Sequence, residues 1–272
     1  MKITSKTIAY ISIILSVAMT LWFLIFGNML GGDFNSPDFD KIKNIQPFIS
    51  GIAVPLITFG TSLLVIETFK NTTLQNISNN FFKLIDQNKK ILEGVNADSS
   101  HLPADDIKSK GKDFFDDLCE RISKDYNAIK TNDIGYLTKV DKSLKTKTQN
   151  KTGKELLIDI YDHYFHIHQS DLGHYFRNLY YIVRYIENCK IRKEEKSEFI
   201  KILRSQLSNY ELLLLAYNGL HEYGREFYKY IEEYHLLKSL NNENRLPDTY
   251  TKRIIDIDIL KTAYPHLQKH WT

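Results

Sequence analysis

Ile8-Ala9-Tyr10-Ile11-Ser12-Ile13-Ile14-Leu15-Ser16-Val17-Ala18-Met19-Thr20-Leu21-Trp22-Phe23-Leu24-Ile25-Phe26 runs nineteen residues without a charge. As an α-helix this stretch reaches about 28 Å, close to the thickness of a hydrocarbon core, so it reads as a membrane-spanning helix. A secretory signal peptide would have an apolar region of only ~7–15 residues and an Ala-x-Ala-like end. Gly27-Asn28-Met29-Leu30-Gly31 supplies no such end. A second uncharged stretch, Gln46 to Ile66, carries Pro55 near its middle. The proline ring frees the carbonyl four residues earlier, at Gly51, and predicts a kink there.

Spans at 8–26 and 46–66 predict a two-helix transmembrane hairpin over residues 1–70, with the lipid bilayer as its partner. Ser12, Ser16 and Thr20 recur every fourth residue on the first helix, and Gly51, Pro55, Thr58 and Ser62 share a face of the second. Small residues at such spacings let helices approach closely, although isolated Ser and Thr also simply bond their own backbone. Lysine sets the orientation. Lys2 and Lys6 precede the first span, and Lys70, Lys83, Lys89 and Lys90 follow the second. The connecting loop has Lys41 and Lys43, so the bias places both termini in the cytoplasm.

Residues 71–102 read as a juxtamembrane amphipathic helix. Leu74, Ile77, Phe81, Leu84, Ile91 and Val95 alternate at threes and fours, and Asn88 alone breaks the seam. Such a seam either pairs copies into a homo-oligomer or docks on later helices of the same chain, and docking is preferred here.

Residues 103–272 read as a cytoplasmic multi-helix domain, so the fold class is all-α. Between Pro103 and Pro247 there is no proline, and apolar residues recur with helical period. Helices are expected at about Asp105–Lys130, Lys154–Gln169, Leu172–Asn188, Lys193–Asn218 and Gly224–Leu240. Phe114, Phe115, Leu118, Ile122, Tyr126 and Ile129 form the buried stripe of the first. Ser170 is the expected N-cap between the second and third. The polar stretch at about 131–155, with Gly135 and Gly153, reads as an exposed loop. Arg253 to Leu260 partly alternates, so 251–260 reads as a short strand or as a helix end.

The chain has 36 basic and 33 acidic residues and a formal charge of +3, so no concentrated basic face announces a nucleic-acid partner. Cys119 and Cys189 lie inside apolar helical patterns and suit small buried hydrophobes in a reducing compartment. Twelve tyrosines fall between Tyr161 and Tyr234, most of them in apolar stripes where core packing accounts for them.

Chemistry is thin. His174, Arg177, Asn178 and Tyr181 are spaced i, i+3, i+4 and i+7, which gathers four hydrogen-bonding groups on one helix face. Arg204, Ser208 and Glu211 follow at i, i+4 and i+7. Glu211 opens the run Glu211-Leu212-Leu213-Leu214-Leu215, where an unpaired carboxylate is costly, so pairing with Arg177 or Arg204 is expected. This cluster is either an internal network that fixes helix register or a site for a phosphate or nucleotide. His163, His166, His168 and His174 lack the spacing of a metal site, and no cofactor motif is present: Walker, Rossmann, Gly-x-Ser-x-Gly and His-Glu-x-x-His patterns are all missing. No arginine is followed by histidine after four to six intervening residues, as a helical RNase of the HEPN kind requires.

Asp171-Leu172-Gly173-His174-Tyr175-Phe176-Arg177-Asn178-Leu179-Tyr180, then Arg204-Ser205-Gln206-Leu207-Ser208-Asn209-Tyr210-Glu211-Leu212-Leu213-Leu214-Leu215 and Tyr217-Asn218-Gly219, resemble the phage abortive infection protein family. Asn80-Phe81-Phe82-Lys83-Leu84 and the helix around Gly111 and Phe114 are similar as well. The resemblance covers about 79–240, and family members commonly carry an N-terminal membrane hairpin. It implies a bacterial inner-membrane protein of antiviral defence, which arrests or kills an infected cell before phage release on meeting a phage or host trigger. It implies no reaction and no catalytic residue. A non-enzymatic sensor or effector is therefore the first expectation. The alternative is a membrane-tethered enzyme acting on RNA or a nucleotide through His174, Arg177 and Glu211.

Overall fold

A computed structural model describes residues 5–29, 49–95, 109–240 and 257–268. They divide between two compact units, Met1–Ser78 and Asn79–Thr272. Every regular element among the described residues is helical, in agreement with the all-α expectation.

In the first unit α1 (Ser5–Met29) packs on a π-helical turn at Ile49–Ala53, which leads into α2 (Val54–Gly94). The departure from α-helical bonding falls where Pro55 lacks the N–H that would have bonded Gly51. Small residues make the contact between the helices. Ala9, Ser12 and Ser16 are buried, as are Ala53 and Gly60. Ser16 Oγ donates to the Ala53 carbonyl at 3.0 Å. A Cβ on Gly60 would come within 2.5 Å of Ser12 Oγ and 3.0 Å of the Ala9 carbonyl oxygen, so glycine is what admits α1. The contact face expected on the second helix is corrected. Gly51, Thr58 and Ser62 are exposed, and Thr58 and Ser62 bond their own backbone, at Val54 and Thr58.

Among the described residues one helix, Ser50–Gly94, is long and apolar enough to cross a membrane, with mean hydropathy 1.8; Thr7–Trp22 is a shorter apolar stretch. Around both, large apolar side chains point outward: Ile11, Ile14, Trp22, Phe59, Val65 and Phe69 are all more than half exposed.

The second unit is built on α3 (Lys112–Thr131), α6 (Gly153–Ile167), α7 (Gln169–Asn188) and α9 (Asn209–Leu220), with α8 (Lys193–Gln206) and α10 (Arg225–Glu233) alongside. The stripe Phe114, Phe115, Leu118, Ile122 and Tyr126 of α3 is fully buried, and Ile129 is half-buried. The start expected at Asp105 lies outside the described residues; Ser109 to Gly111 are not helical, and the helix begins at Lys112. The C-terminal end of α2 docks on these helices, with the Phe81 ring edge-on to Phe199 at 5.0 Å.

Four boundaries differ from expectation, each for a local reason. The exposed loop at 131–155 is instead two short helices, α4 (Ile134–Leu137) and α5 (Lys142–Thr148). Asp133 accepts from Gly135 N at 3.1 Å and Asp141 from Ser143 N at 2.7 Å, which satisfies orphan donors of each first turn. Val140, Leu144 and Thr148 are buried there. Ser170 is not the N-cap of α7: α6 and α7 share His168 as their boundary, with no side-chain cap. The single helix expected over Lys193–Asn218 is broken at Leu207, whose ψ of 131° is extended. The helix expected to reach Leu240 ends at Glu233, because His235 is left-handed at φ 50°, and a 3₁₀ turn follows at Leu236–Ser239.

The strand reading of 251–260 lies mostly outside the described residues. Its described end belongs to α11 (Ile257–Ala263), followed by α12 (Pro265–Gln268). The Tyr264 hydroxyl donates to the Ala216 carbonyl at 2.5 Å, which fixes this tail on α9.

Candidate functional site

The break after α8 places Ser208 and Glu211 at the mouth of α9 as a reciprocal cap. Ser208 Oγ accepts from Glu211 N at 3.3 Å, and Glu211 Oε2 accepts from Ser208 N at 2.8 Å. The other carboxylate oxygen, Oε1, accepts the Tyr175 hydroxyl at 2.5 Å. Glu211 is 2% exposed, so its charge is held by two donors and by the positive end of the α9 dipole. Burial, then the neighbouring Glu211, push the Tyr175 hydroxyl well above the ordinary phenol range, with Asn88 opposing.

Asn88, the residue that breaks the apolar seam of α2, is buried beside this pair. It accepts from Asn178 Nδ2 at 3.3 Å. The polar chain Asn178, Asn88, Tyr175, Glu211, Ser208 thus ties α2, α7 and α9 together. A cavity of about 470 Å³ opens against its end, lined in part by Asn88, Lys89, Gln206 and Glu211.

Of the residues singled out in the sequence, the structure brings together Asn178, Ser208 and Glu211. It does not bring the rest to them. His174, Arg177 and Tyr181 are exposed on α7, away from the face that carries Tyr175 and Asn178 inward. Arg177 lines a separate cavity of about 380 Å³ with Phe176, Tyr180 and Phe227. Arg204 donates from Nη1 to the His235 carbonyl at 3.2 Å, at a third place. The expected ion pair of Glu211 with Arg177 or Arg204 is therefore not formed. Likewise Arg204, Ser208 and Glu211 do not share one helix face, because the chain turns at Leu207 before Glu211 is reached.

Two further polar groups were not anticipated from the sequence. Asp162 on α6 meets His221 Nε2 at 2.6 Å, His166 at 3.3 Å and the Lys147 ammonium of α5. Burial alone would raise the Asp162 carboxyl, but Lys147 and His221 bring it below its usual range. On α3, Asp125 is 2% exposed and accepts the Tyr164 hydroxyl at 2.6 Å, while Arg121 Nε donates to that hydroxyl at 3.1 Å. Burial raises the Asp125 carboxyl in spite of Tyr164 and Arg121. Both clusters join helices distant in sequence, and only the aspartates' places inside apolar stripes could have flagged them.

A family model described as "Putative phage abortive infection protein" matches residues 167–245. No curated protein and no solved structure matches the chain. The matched stretch carries α7 to α10 and includes Tyr175, Asn178, Arg204, Ser208 and Glu211; Asn88 lies outside it.

Proposed function

We propose, from the match of residues 167–245 to the phage abortive infection family, that this chain is a membrane-anchored bacterial defence protein that acts by arresting or killing the infected cell. That match is the observation that carries the reading.

Anchoring by two spans is supported by the apolar side chains that α1 and α2 turn outward in the first unit, since soluble surfaces rarely leave so many together. The small-residue contact through Ser12, Ser16, Ala53 and Gly60 is the kind that packs helices in lipid, where the hydrophobic effect gives no help. With the lysine bias at the span ends, the hairpin lies in the inner membrane with both termini in the cytoplasm.

A sensor or effector without chemistry of its own is supported by the buried polar chain around Glu211. Its donors and acceptors satisfy one another, as a network that fixes helix register does. The enzymatic alternative asks for one surface carrying His174, Arg177 and Glu211. Burial of Glu211 at 2% exposure and exposure of the other two count against it. The domain then recognises a phage or host trigger, and the hairpin perturbs the membrane or positions the domain.

The test is a phage panel at low and high multiplicity on hosts carrying the wild type, a version with both spans replaced by an unrelated hairpin, or an empty vector, with membrane abundance followed by blot. Protection at low multiplicity with culture collapse at high multiplicity supports abortive infection. Absence of protection against every phage, with the protein abundant, overturns it. Full protection by the span-swapped version removes the membrane-perturbing step.

A further inference from the structure

Arg204 has no carboxylate partner among the described residues, although it is only partly exposed. Its hydrogen bond to the His235 carbonyl uses one of five guanidinium donors and offers no negative charge. Burial, with no opposing acid, pulls its pKa below the ordinary guanidinium value. A half-buried cation without a counter-ion is costly, and folded proteins normally pair it.

The surroundings make that charge worse. Lys193, Ser197, Lys201 and Arg204 recur at intervals of four, four and three on α8, so they form one stripe. With Lys238 they line an open cleft of about 260 Å³ to which Tyr234 and His235 also contribute. Of the four cations, Lys201 is neutralised by Glu198 at 2.6 Å. Lys193, Arg204 and Lys238 have no such partner among the described residues, and only Glu233 opposes them in the lining. Among the carboxylates around it, Glu187 is held by Lys196 and Tyr234, Glu195 by Arg192 and Glu232 by His266. The left-handed turn at His235, unfavourable for a side-chain-bearing residue, is what aims its carbonyl at Arg204 and holds the guanidinium at the cleft.

We propose that this cleft binds a phosphate-bearing anion, with the Arg204 guanidinium as its anchor, Lys193 and Lys238 as flanking charges and the Ser197 hydroxyl as a neutral donor. A planar guanidinium with free donors matches a phosphoryl group in charge and in fork geometry. The volume suits a diphosphate or the headgroup of an anionic lipid. This binding is independent of the defence reading, because it is measured on the isolated protein.

Full-length protein in detergent is titrated calorimetrically with inorganic pyrophosphate and, separately, with dihexanoyl phosphatidic acid, at constant ionic strength. Saturable binding of pyrophosphate points to a free phosphoanion, and saturation by the short-chain lipid alone points to a headgroup; either supports the site. Arg204→Ala should weaken binding at least tenfold. Since that variant also loses the His235 contact, Lys193→Glu and Lys238→Glu, both at exposed positions, should each weaken it several-fold with helicity unchanged. His174→Ala, outside the cleft, should bind as the wild type does. No saturable binding of either probe at millimolar concentration, or binding that both charge reversals leave unchanged, overturns the proposal.

Discussion

The Tyr175 hydroxyl and Glu211 Oε1 lie 2.5 Å apart, in a buried bond that joins α7 to the first turn of α9. The bond has consequences for stability because both groups have left water. Tyr175→Phe keeps the ring packed edge-on against Phe115 but leaves a buried carboxylate oxygen one donor short. The expected cost is about 1–3 kcal/mol, read by chemical denaturation of the detergent-solubilised protein. In the Glu211→Gln background the same substitution should cost less, because the amide is neutral. Equal losses in both backgrounds would mean the pair is not coupled.

Ser208 caps α9 at its only sharp entry. Ser208→Ala removes the acceptor for Glu211 N and leaves Glu211 alone to hold the turn. A loss of about 1 kcal/mol is expected, with Ser208→Asp close to wild type because aspartate caps as well as serine. If Ser208→Asp falls as far as Ser208→Ala, repulsion from the neighbouring Glu211 outweighs the restored cap.

Gly224 is required for space and not for conformation, since its φ of −95° suits any residue. A Cβ there would overlap the Asn218 carbonyl and approach Asn218 Oδ1. Asn218 is itself held, donating from Nδ2 to the Tyr161 hydroxyl at 3.1 Å. Gly224→Ala is therefore expected to cost about 3 kcal/mol, because a backbone carbonyl must move and carry α9 with it. Gly173→Ala is the control: its Cβ would meet only Phe165 Cζ at 3.9 Å. The control should be at least as stable as the wild type, by up to about 1 kcal/mol, because Gly173 lies inside α7 and alanine favours a helix over glycine.

The helical class and the central helices were legible from period alone. The expected Leu172–Asn188 sits inside α7, and Lys154–Gln169 nearly coincides with α6. What failed was a boundary with a readable signal. Ser208-Asn209-Tyr210-Glu211 before a leucine run is a capping box, and reading helical period through it merged α8 and α9. That merger also misplaced the candidate site, by setting Arg204 and Glu211 on one face. Asn88 was visible as the flaw in an apolar seam, but its partner Asn178 lies ninety residues away. No local pattern links such a pair. The turn at His235 had no glycine or asparagine to announce it, although the residue sits in the left-handed region at φ 50°.

His168 makes the unit sensitive to acid. It is 5% exposed at the junction of α6 and α7, with the Phe114 ring edge-on at 4.9 Å and Nε2 without a hydrogen-bond partner among the described residues. Burial lowers its pKa to about 4 from an ordinary 6.5. The depressed value means that the folded state prefers the neutral ring. That preference is fully present above pH 6.5 and is lost as pH falls toward 4, because the unfolded chain takes up the proton first. Integrated over the window the loss is up to about 3 kcal/mol. Asp125 works the other way: its carboxyl is raised by burial, so its contribution is present at low pH and declines as pH rises through the folded value. Comparing the wild type with His168→Gln cancels Asp125 and leaves the histidine. Denaturation midpoints at pH 7.5 and 4.5 should fall further for the wild type than for His168→Gln. Parallel falls would show that His168 gains its proton without opening the α6–α7 junction, and the acid sensitivity would then belong to another group.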